Sequence, residues 1–360
     1  MSDVIRAPLE HLTRMSLATI HRHMAESSKR MLKGDDVASM HLRLAHTPVL
    51  IRAASSSLLW VITTSFRHLM DLADDDCPAI LTIDIWDMGN ASAEPLERPH
   101  ARTSNRYFFY QCDDYDASLD LETGEMYCVV KRLTNKLVAY PFRRVLWRWL
   151  ARQELFPAQG AVIARGKNAV LLCGERGSGR STAVLECLEA GWDFIADSQC
   201  GVSRLGDKFT LYSLFGCVEL KPEYAANFPT WREHCRPGYR PEAGERLNDQ
   251  LLKGNEYSVL EIGDAMPQRV CESANLEAII VLMEDPERSG PAAARIAQRA
   301  ATSALTADTR GLDRTTFTRG KDDYLRMSYS VPCFAIMRRD HSEPLTPLVE
   351  QILNESLHDV

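Results

Sequence analysis

The sequence predicts an α/β protein, α+β when taken whole, in which a smaller α+β domain precedes a core built on a glycine loop. Three observations carry this. An apolar run, Ala169–Val170–Leu171–Leu172–Cys173, has the length and composition of a buried strand and leads into Gly174, Gly177 and Gly179. Several β-prone runs separated by turn residues fill the stretch from Thr47 to Lys131. Of the 360 residues, 45% are apolar and 25% charged, the balance of an ordinary globular chain long enough for two domains.

Taken in order, residues 1–45 read as a helical segment, with Leu9, Leu12, Ile20 and Met24 at roughly helical spacing. Residues 46–135 read as the small α+β domain. Pro48 to Ala53 is a strand, Leu58 to Leu72 a helix, and Ala79 to Trp86 alternates with period two. Asn90 to Ala101 reads as a loop. Tyr107 to Gln111, Ala117 to Leu121 and Met126 to Lys131 read as strands joined by turns. The acidic groups Asp74–Asp76 and Asp113, Asp114 and Asp116 fall in or beside loops, where solvated carboxylates are the default.

Residues 136–360 form the third segment. Tyr140 to Glu154 reads as an amphipathic helix whose Arg144, Arg148 and Arg152 make one basic stripe, a solvated face by default. Ala161 to Arg165 and Ala169 to Cys173 make a hairpin that delivers the glycine loop. Gly201 to Arg204 and Phe209 to Ser213 make another strand pair. A short helix is expected within residues 223–234, and Pro237 to Asn255, rich in Gly, Pro and charge, reads as a mobile loop. Leu276 to Met283 is a core strand, Ala292 to Leu305 a helix, and Pro347 to Leu353 the start of a terminal helix.

The chemistry concentrates between Ala169 and Gln199. Ser181 and Thr182 open a helix with Ala183, Val184, Cys187 and Leu188 on its apolar face, and Gly191 ends it. A second apolar segment, Trp192 to Ala196, leads to Asp197. Strand, glycine loop, helix, strand and acid is the layout of a phosphate-binding loop. Glycines let successive N–H groups point at one anion, and the helix N-terminus adds its dipole. The usual pattern, Gly-x-x-x-x-Gly-Lys-[Ser/Thr], is met by Gly174, Gly179 and Ser181, with Arg180 in the lysine position. Arginine keeps the charge but is longer, planar and forked. Ser181 is a candidate Mg²⁺ ligand, and Asp197 a candidate metal ligand or proton acceptor.

Other classes are disfavoured. A net charge of −7 argues against nucleic acid as the main partner. No run of about 18 apolar residues points to a membrane span, and the N-terminus lacks a signal-peptide core. No two of the ten cysteines lie within three residues of each other, so zinc spacing is absent and reduced thiols in a cytoplasmic protein are expected. His21 and His23, two apart on a helix, point in different directions and do not share a metal.

From about Leu155 to Leu220 the chain resembles the HPr kinase/phosphatase C-terminal domain and the related kinases found beside peptide-modifying genes, including lasso-peptide kinases. The residues that carry it are GAVIARGKNAVLLCG, GERGSGRST, AVLECLEAGW and FIADS, with LFGCVELKPE and NLEAIIVLME further on; AILTIDIWD extends it toward the N-terminus. The resemblance implies a phosphoenolpyruvate-carboxykinase-like core using ATP and Mg²⁺ to phosphorylate a hydroxyl. Carried over by position, Gly174, Gly177, Ser178, Gly179, Arg180, Ser181 and Thr182 hold the nucleotide. Ser181 and Asp197 hold the metal, and Asp197 and Arg180 take part in transfer. The acceptor is a serine of a peptide or protein, or a small alcohol; assembly as a homo-oligomer stays open. The chain departs from the family at Arg180, at Asp197–Ser198 where two acids are usual, at Gln159 where a histidine is frequent nearby, and at Glu219 where a lysine is expected. Three readings stand: an active kinase, a degenerate module that recognises or regulates, and a plain nucleotide hydrolase.

Overall fold

The computed structural model describes residues 15–70, 78–88, 99–175, 177–220, 228–232, 235–236, 258–285, 287, 290–307, 314–338 and 344–358. The chain forms two compact units, Met1–Gln153 with Arg236–Glu256, and Glu154–Cys235 with Tyr257–Val360.

The first unit is a seven-stranded sheet. Helix α1 (Leu17–Met31) is followed by β1 (Ala38–Leu44) and β2 (Thr47–Ala53), then α2 (Ser56–Thr63) and β3 (Leu81–Asp87). Next come β4 (His100–Thr103), β5 (Tyr107–Gln111), β6 (Tyr115–Asp120) and β7 (Glu125–Val130), then short helices α3 (Asn135–Ala139) and α4 (Arg143–Leu150). The strand order is β1-β2-β3-β7-β6-β5-β4. The helical reading of residues 1–45 holds over α1 and fails at β1. There Met40, Leu42 and Leu44 are buried and alternate with His41 and Arg43, a period-two pattern hidden within a charged stretch. The expected Leu58–Leu72 helix ends at Thr63 and tightens into a 3₁₀ turn over Thr64–Leu69. Residues 1–14, the Asp74–Asp76 group and most of the Asn90–Ala101 loop lie outside the described residues.

Polar anchors fix this sheet. His21 is buried between Tyr107 and Tyr127, and its Nδ1 lies 3.0 Å from Ser118 Oγ, which seats α1. Asp84 is buried on β3. It accepts a forked pair of bonds from Arg52 (2.7 and 2.9 Å) and a third from Ser28 Oγ (2.5 Å). Removing the fork strands a carboxylate that water reaches poorly, so Arg52→Met is expected to destabilise this unit by about 2 kcal/mol in urea unfolding followed by Trp86 fluorescence. The acids expected to be solvated in loops are paired instead, Asp114 just before β6 and Asp116 buried within it. Arg132 and Thr134 bind Asp114, and Lys131 lies 2.8 Å from Asp116.

The predicted Tyr140–Glu154 helix is shorter, beginning after Phe142 at φ 50° and ending before a 3₁₀ turn. Its basic stripe is not simply solvated. Arg148 donates to Thr103 Oγ1 (3.0 Å) and Arg152 to the Asn105 carbonyl (2.6 Å), so the stripe braces the β4–β5 turn.

The second unit carries the glycine loop. Its strands are β8 (Phe156–Gln159), β9 (Ala161–Arg165), β10 (Asn168–Cys173), then helix α5 (Arg180–Glu189), β11 (Asp193–Ala196), β12 (Gln199–Leu205), β13 (Lys208–Tyr212) and β14 (Cys217–Leu220). After α6 (Pro229–Arg232) and β15 (Cys235–Arg236) come β16 (Ser258–Glu261), α7 (Ile262–Ala265), β17 (Ser273–Glu284) and β18 (Ala292–Arg295). Helices α8 (Gln298–Ala307) and α9 (Arg314–Ser330), strand β19 (Cys333–Arg338) and helix α10 (Thr346–His358) complete it. The 237–255 loop lies outside the described residues.

The main sheet runs β11-β9-β10-β17-β13-β12-β8, with β19 also on β17 and β18 on β19. It is covered on both faces. Val170, Leu172, Ala278, Ile280 and Leu282 face α5 and α10, while Leu171, Cys173, Ile279 and Val281 face α8 and α9. Burial on both faces is why β10 and β17 read as unbroken apolar runs rather than alternating ones. The expected helix over Ala292–Leu305 divides instead into β18 and α8, because the alanines of β18 complete the edge pairing to β19. The described cysteines carry no disulfide, and most are buried. No described helix is long and apolar enough to cross a membrane.

Candidate functional site

Strand β10 runs parallel to β17 and antiparallel to β9, and β11 is antiparallel to β9 in turn. The carboxyl ends of β10 and β11 therefore lie at one edge of the sheet, which brings the glycine loop and Asp197 together. Helix α5 is set firmly behind the loop. Gly191 at φ 86° closes it, with Gly191 N–H on the Leu188 carbonyl (3.0 Å) and Trp192 N–H on that of Cys187 (2.9 Å), the paired bonds of a Schellman cap.

The three loop glycines are required by geometry. Gly174 has φ 149°, and a Cβ there would lie 2.6 Å from the Leu282 carbonyl oxygen and 2.7 Å from Ser178 Oγ. Gly177 has φ 96° with open space around it, and Gly179 has φ 80°. Ser178 between them keeps an ordinary negative φ. Alternating φ of this kind turns successive backbone N–H groups toward one side, the concavity that binds anions. The α5 hydrogen-bond ladder starts with Ala183 N–H on the Gly179 carbonyl (2.9 Å). The N–H groups of Arg180, Ser181 and Thr182 thus stand outside that ladder, at the positive end of the helix.

Two of the loop residues behave differently from the others. The Ser178 N–H closes a turn on the Glu175 carbonyl (3.0 Å), and its hydroxyl is buried against Gly174 with no hydrogen-bond partner. Thr182 is buried too. Both form the floor of the loop, whereas Gly177, Gly179, Arg180 and Ser181 form its rim.

Asp197 is 3% exposed. Its Oδ2 accepts the N–H of Glu219 on β14 (3.3 Å), and its Oδ1 is buried without a hydrogen-bond partner. Burial pushes its carboxyl up to about 6, against the opposing pull of the Ser181 hydroxyl, the Arg180 guanidinium, the Glu219 N–H and the Ser198 hydroxyl. Those groups are the loop and its neighbours, so Asp197 and Ser181 share one spot. The Ser198 carbonyl, holding the Gly160 N–H (3.1 Å), fixes the chain just beyond. Gln159 and Gln199 face each other across β8 and β12 beside this turn.

Further carboxylates stand near. Strand β14 pairs antiparallel with β16, setting Cys217 opposite Glu261, with Glu219 on the same face as Cys217. The Cys217 thiol is raised well above its usual range, first by burial and then by Glu219, Asp197 and Glu261. It is a buried spectator and not a nucleophile.

A magnesium–polyphosphate group fits these residues. The Gly174 approach leaves no room for a Cβ, and Asp197 Oδ1 and Ser178 Oγ are buried polar atoms without partners. Among the described residues no three His, Cys, Asp or Glu side chains are arranged to hold a metal by themselves. Mg²⁺ characteristically takes one or two protein oxygens and completes its shell with phosphate and water, which a Ser181–Asp197 pair can serve.

The sequence reading named the loop and Asp197 and missed Arg338. This residue ends β19, is 1% exposed, and donates from Nη2 to the Gly179 carbonyl (3.3 Å). Its Nη1 lies 3.7 Å from Glu186 on α5. An arginine closing an apolar strand carries no local signal of that contact; only the β17–β19 register reveals it.

No protein-family profile and no curated protein matches the chain. Among solved structures it is similar to the HPr(Ser) kinase/phosphatase from Coxiella burnetii. That similarity has 10% sequence identity and a TM-score of 0.31, and it covers 56% of this chain and 97% of that one. The likeness is distant, and what the site can do follows from its own geometry.

Proposed function

We propose that the chain binds ATP with Mg²⁺ and transfers the terminal phosphoryl group to a hydroxyl, on a serine of a peptide or protein or on a small alcohol. One observation carries the reading: a loop with φ alternating in sign, at the head of α5, shares its mouth with a buried carboxylate held at about pKa 6. When bound, the magnesium nucleotide supplies the phosphoryl group and spreads its charge. Gly177, Gly179, Arg180 and Ser181 hold the phosphates and Ser181 with Asp197 the metal. Phosphoryl transfer rests on positioning and charge, and both are properties of this loop. Asp197 is charged above about pH 6 and poised to take the acceptor's proton or to orient its hydroxyl.

A second reading has its own support. Glu219 holds Asp197 through its backbone N–H, so an acidic residue borders a site where transfer from a polyanion favours a cation. The chain would then bind nucleotide without turnover and act as a recognition or regulatory module.

Calorimetry with ATP and Mg²⁺ tests both. Binding lost in Gly179→Val supports the loop assignment, and transfer to an acceptor that Asp197→Asn abolishes supports the kinase. Binding with no transfer selects the module. Wild-type protein that does not bind magnesium nucleotide overturns both. Arg180→Lys sharpens the choice: a faster enzyme means a working site with an unusual cation, and no change in a turnover-free protein fits the module.

A further inference from the structure

We infer that Arg338 is a positioning residue of the glycine loop: it fixes the Gly179–Arg180 peptide plane and places a second, buried cation behind the anion site. The inference rests on the polyphosphate reading of that loop.

The geometry is specific. The Gly179 carbonyl receives two donors, Ala183 N–H at 2.9 Å and Arg338 Nη2 at 3.3 Å. A trans peptide is planar, so the carbonyl of one residue and the N–H of the next point in opposite directions. Holding the Gly179 oxygen down toward β19 therefore turns the Arg180 N–H up, out of the helix start and toward the loop mouth. Gly179 at φ 80° is the joint that permits this orientation, and glycine alone would not hold it.

Arg338 is itself held from several sides. Its backbone carbonyl receives the Asp285 N–H (2.8 Å), and the residue sits in register with Glu284 of β17. Its guanidinium reaches Glu186 Oε1 at 3.7 Å, longer than a close ion pair. Burial raises the Glu186 carboxyl above the usual glutamate range, while the Leu345 N–H and Arg338 pull it down. The Leu345 N–H lies 3.1 Å from Glu186 Oε2. The cation is thus buried directly behind the loop, and in such surroundings its field reaches an anion on the loop's other side.

Three variants test this, each measured for binding of ATP, ADP and inorganic pyrophosphate by calorimetry and for thermal unfolding. Arg338→Met should weaken all three ligands by about tenfold or more, the size of a lost charge-assisted contact. Arg338→Lys keeps the charge but not the fork, and should recover part of that loss. Glu186→Gln keeps an acceptor for the Leu345 N–H and removes the counter-charge. It should tighten binding about two- to threefold, even if the protein melts lower. Opposite signs for Arg338→Met and Glu186→Gln are what a mere core ion pair would not produce. Folded Lys and Gln variants that bind like wild type overturn the inference and leave the nucleotide reading standing. A wild-type protein that binds none of the three ligands overturns the reading and the inference together.

Discussion

Asp197→Asn should abolish phosphoryl transfer and at the same time make the second unit more stable. The carboxyl is held at about 6 in the folded protein, against 3.8 for an ordinary aspartate. A raised carboxyl means that the folded state binds its proton more readily than the unfolded chain. The favourable balance is fully present below pH 3.8 and is lost as pH rises through about 6. Above that the fold carries a buried charge at a cost of about 3 kcal/mol. Asparagine has the same shape and no charge, so that cost disappears. At pH 7.5 the variant should melt higher by roughly 5 °C, and the wild type should close the gap as pH falls toward 5. Transfer should fall by about a thousandfold or more, since the proposed proton acceptor and metal ligand are removed together. The companion measurement is the pH profile of kcat/KM for the wild type, which reports the free enzyme and is expected to rise through about 6. An equal or lower melting temperature in Asp197→Asn would show that the carboxylate is better solvated than its burial indicates.

Gly174→Ala and Gly177→Ala form the second pair, and they should separate folding from binding. At Gly174 a methyl group meets the Leu282 carbonyl at 2.6 Å, and that oxygen belongs to the central strand β17. Backbone must move, so a loss of about 3 kcal/mol or more is expected in urea unfolding, together with loss of nucleotide binding. At Gly177 no atom lies within 4 Å and only φ 96° opposes the methyl group, at about 1 kcal/mol. Gly177→Ala should therefore fold nearly as well as wild type, while its rim N–H is tilted and polyphosphate affinity drops by about tenfold. Equal affinity in a folded Gly177→Ala would move the anion site away from the rim.

The parts of this fold that could be read in the sequence are those whose cause is local. The run Ala169–Cys173, the three glycines and Gly191 announce strand, loop and helix because each needs a particular backbone or composition. Strand β1 was hidden because His41 and Arg43 alternate with buried Met40, Leu42 and Leu44, and a short alternating run among charges looks like a helix's polar face. The alanines at 292–294 have high helix propensity, and pairing with β19 outweighs it. Helix α9 and strand β19 escaped altogether. Their identity depends on covering and extending β17, from far along the chain. At the candidate site the same division holds: Asp197 follows an apolar strand and is conspicuous, whereas Arg338 acquires its place only through register.

The three-way contact of β17 has a consequence for how the chain is made. Strand β10 pairs with it across more than a hundred intervening residues, Asn168 facing Asn275, and β19 joins it only from Cys333 onward. During synthesis the glycine loop therefore leaves the ribosome long before the segment that props it. Contacts so far apart in sequence form late and slowly. A chain that stops short of Cys333 would bare one flank of β17 from Ile279 to Glu284, an apolar edge open to pairing with its like. Nascent chains of that length should need a chaperone, and gain solubility once β19, from Cys333 onward, has been made.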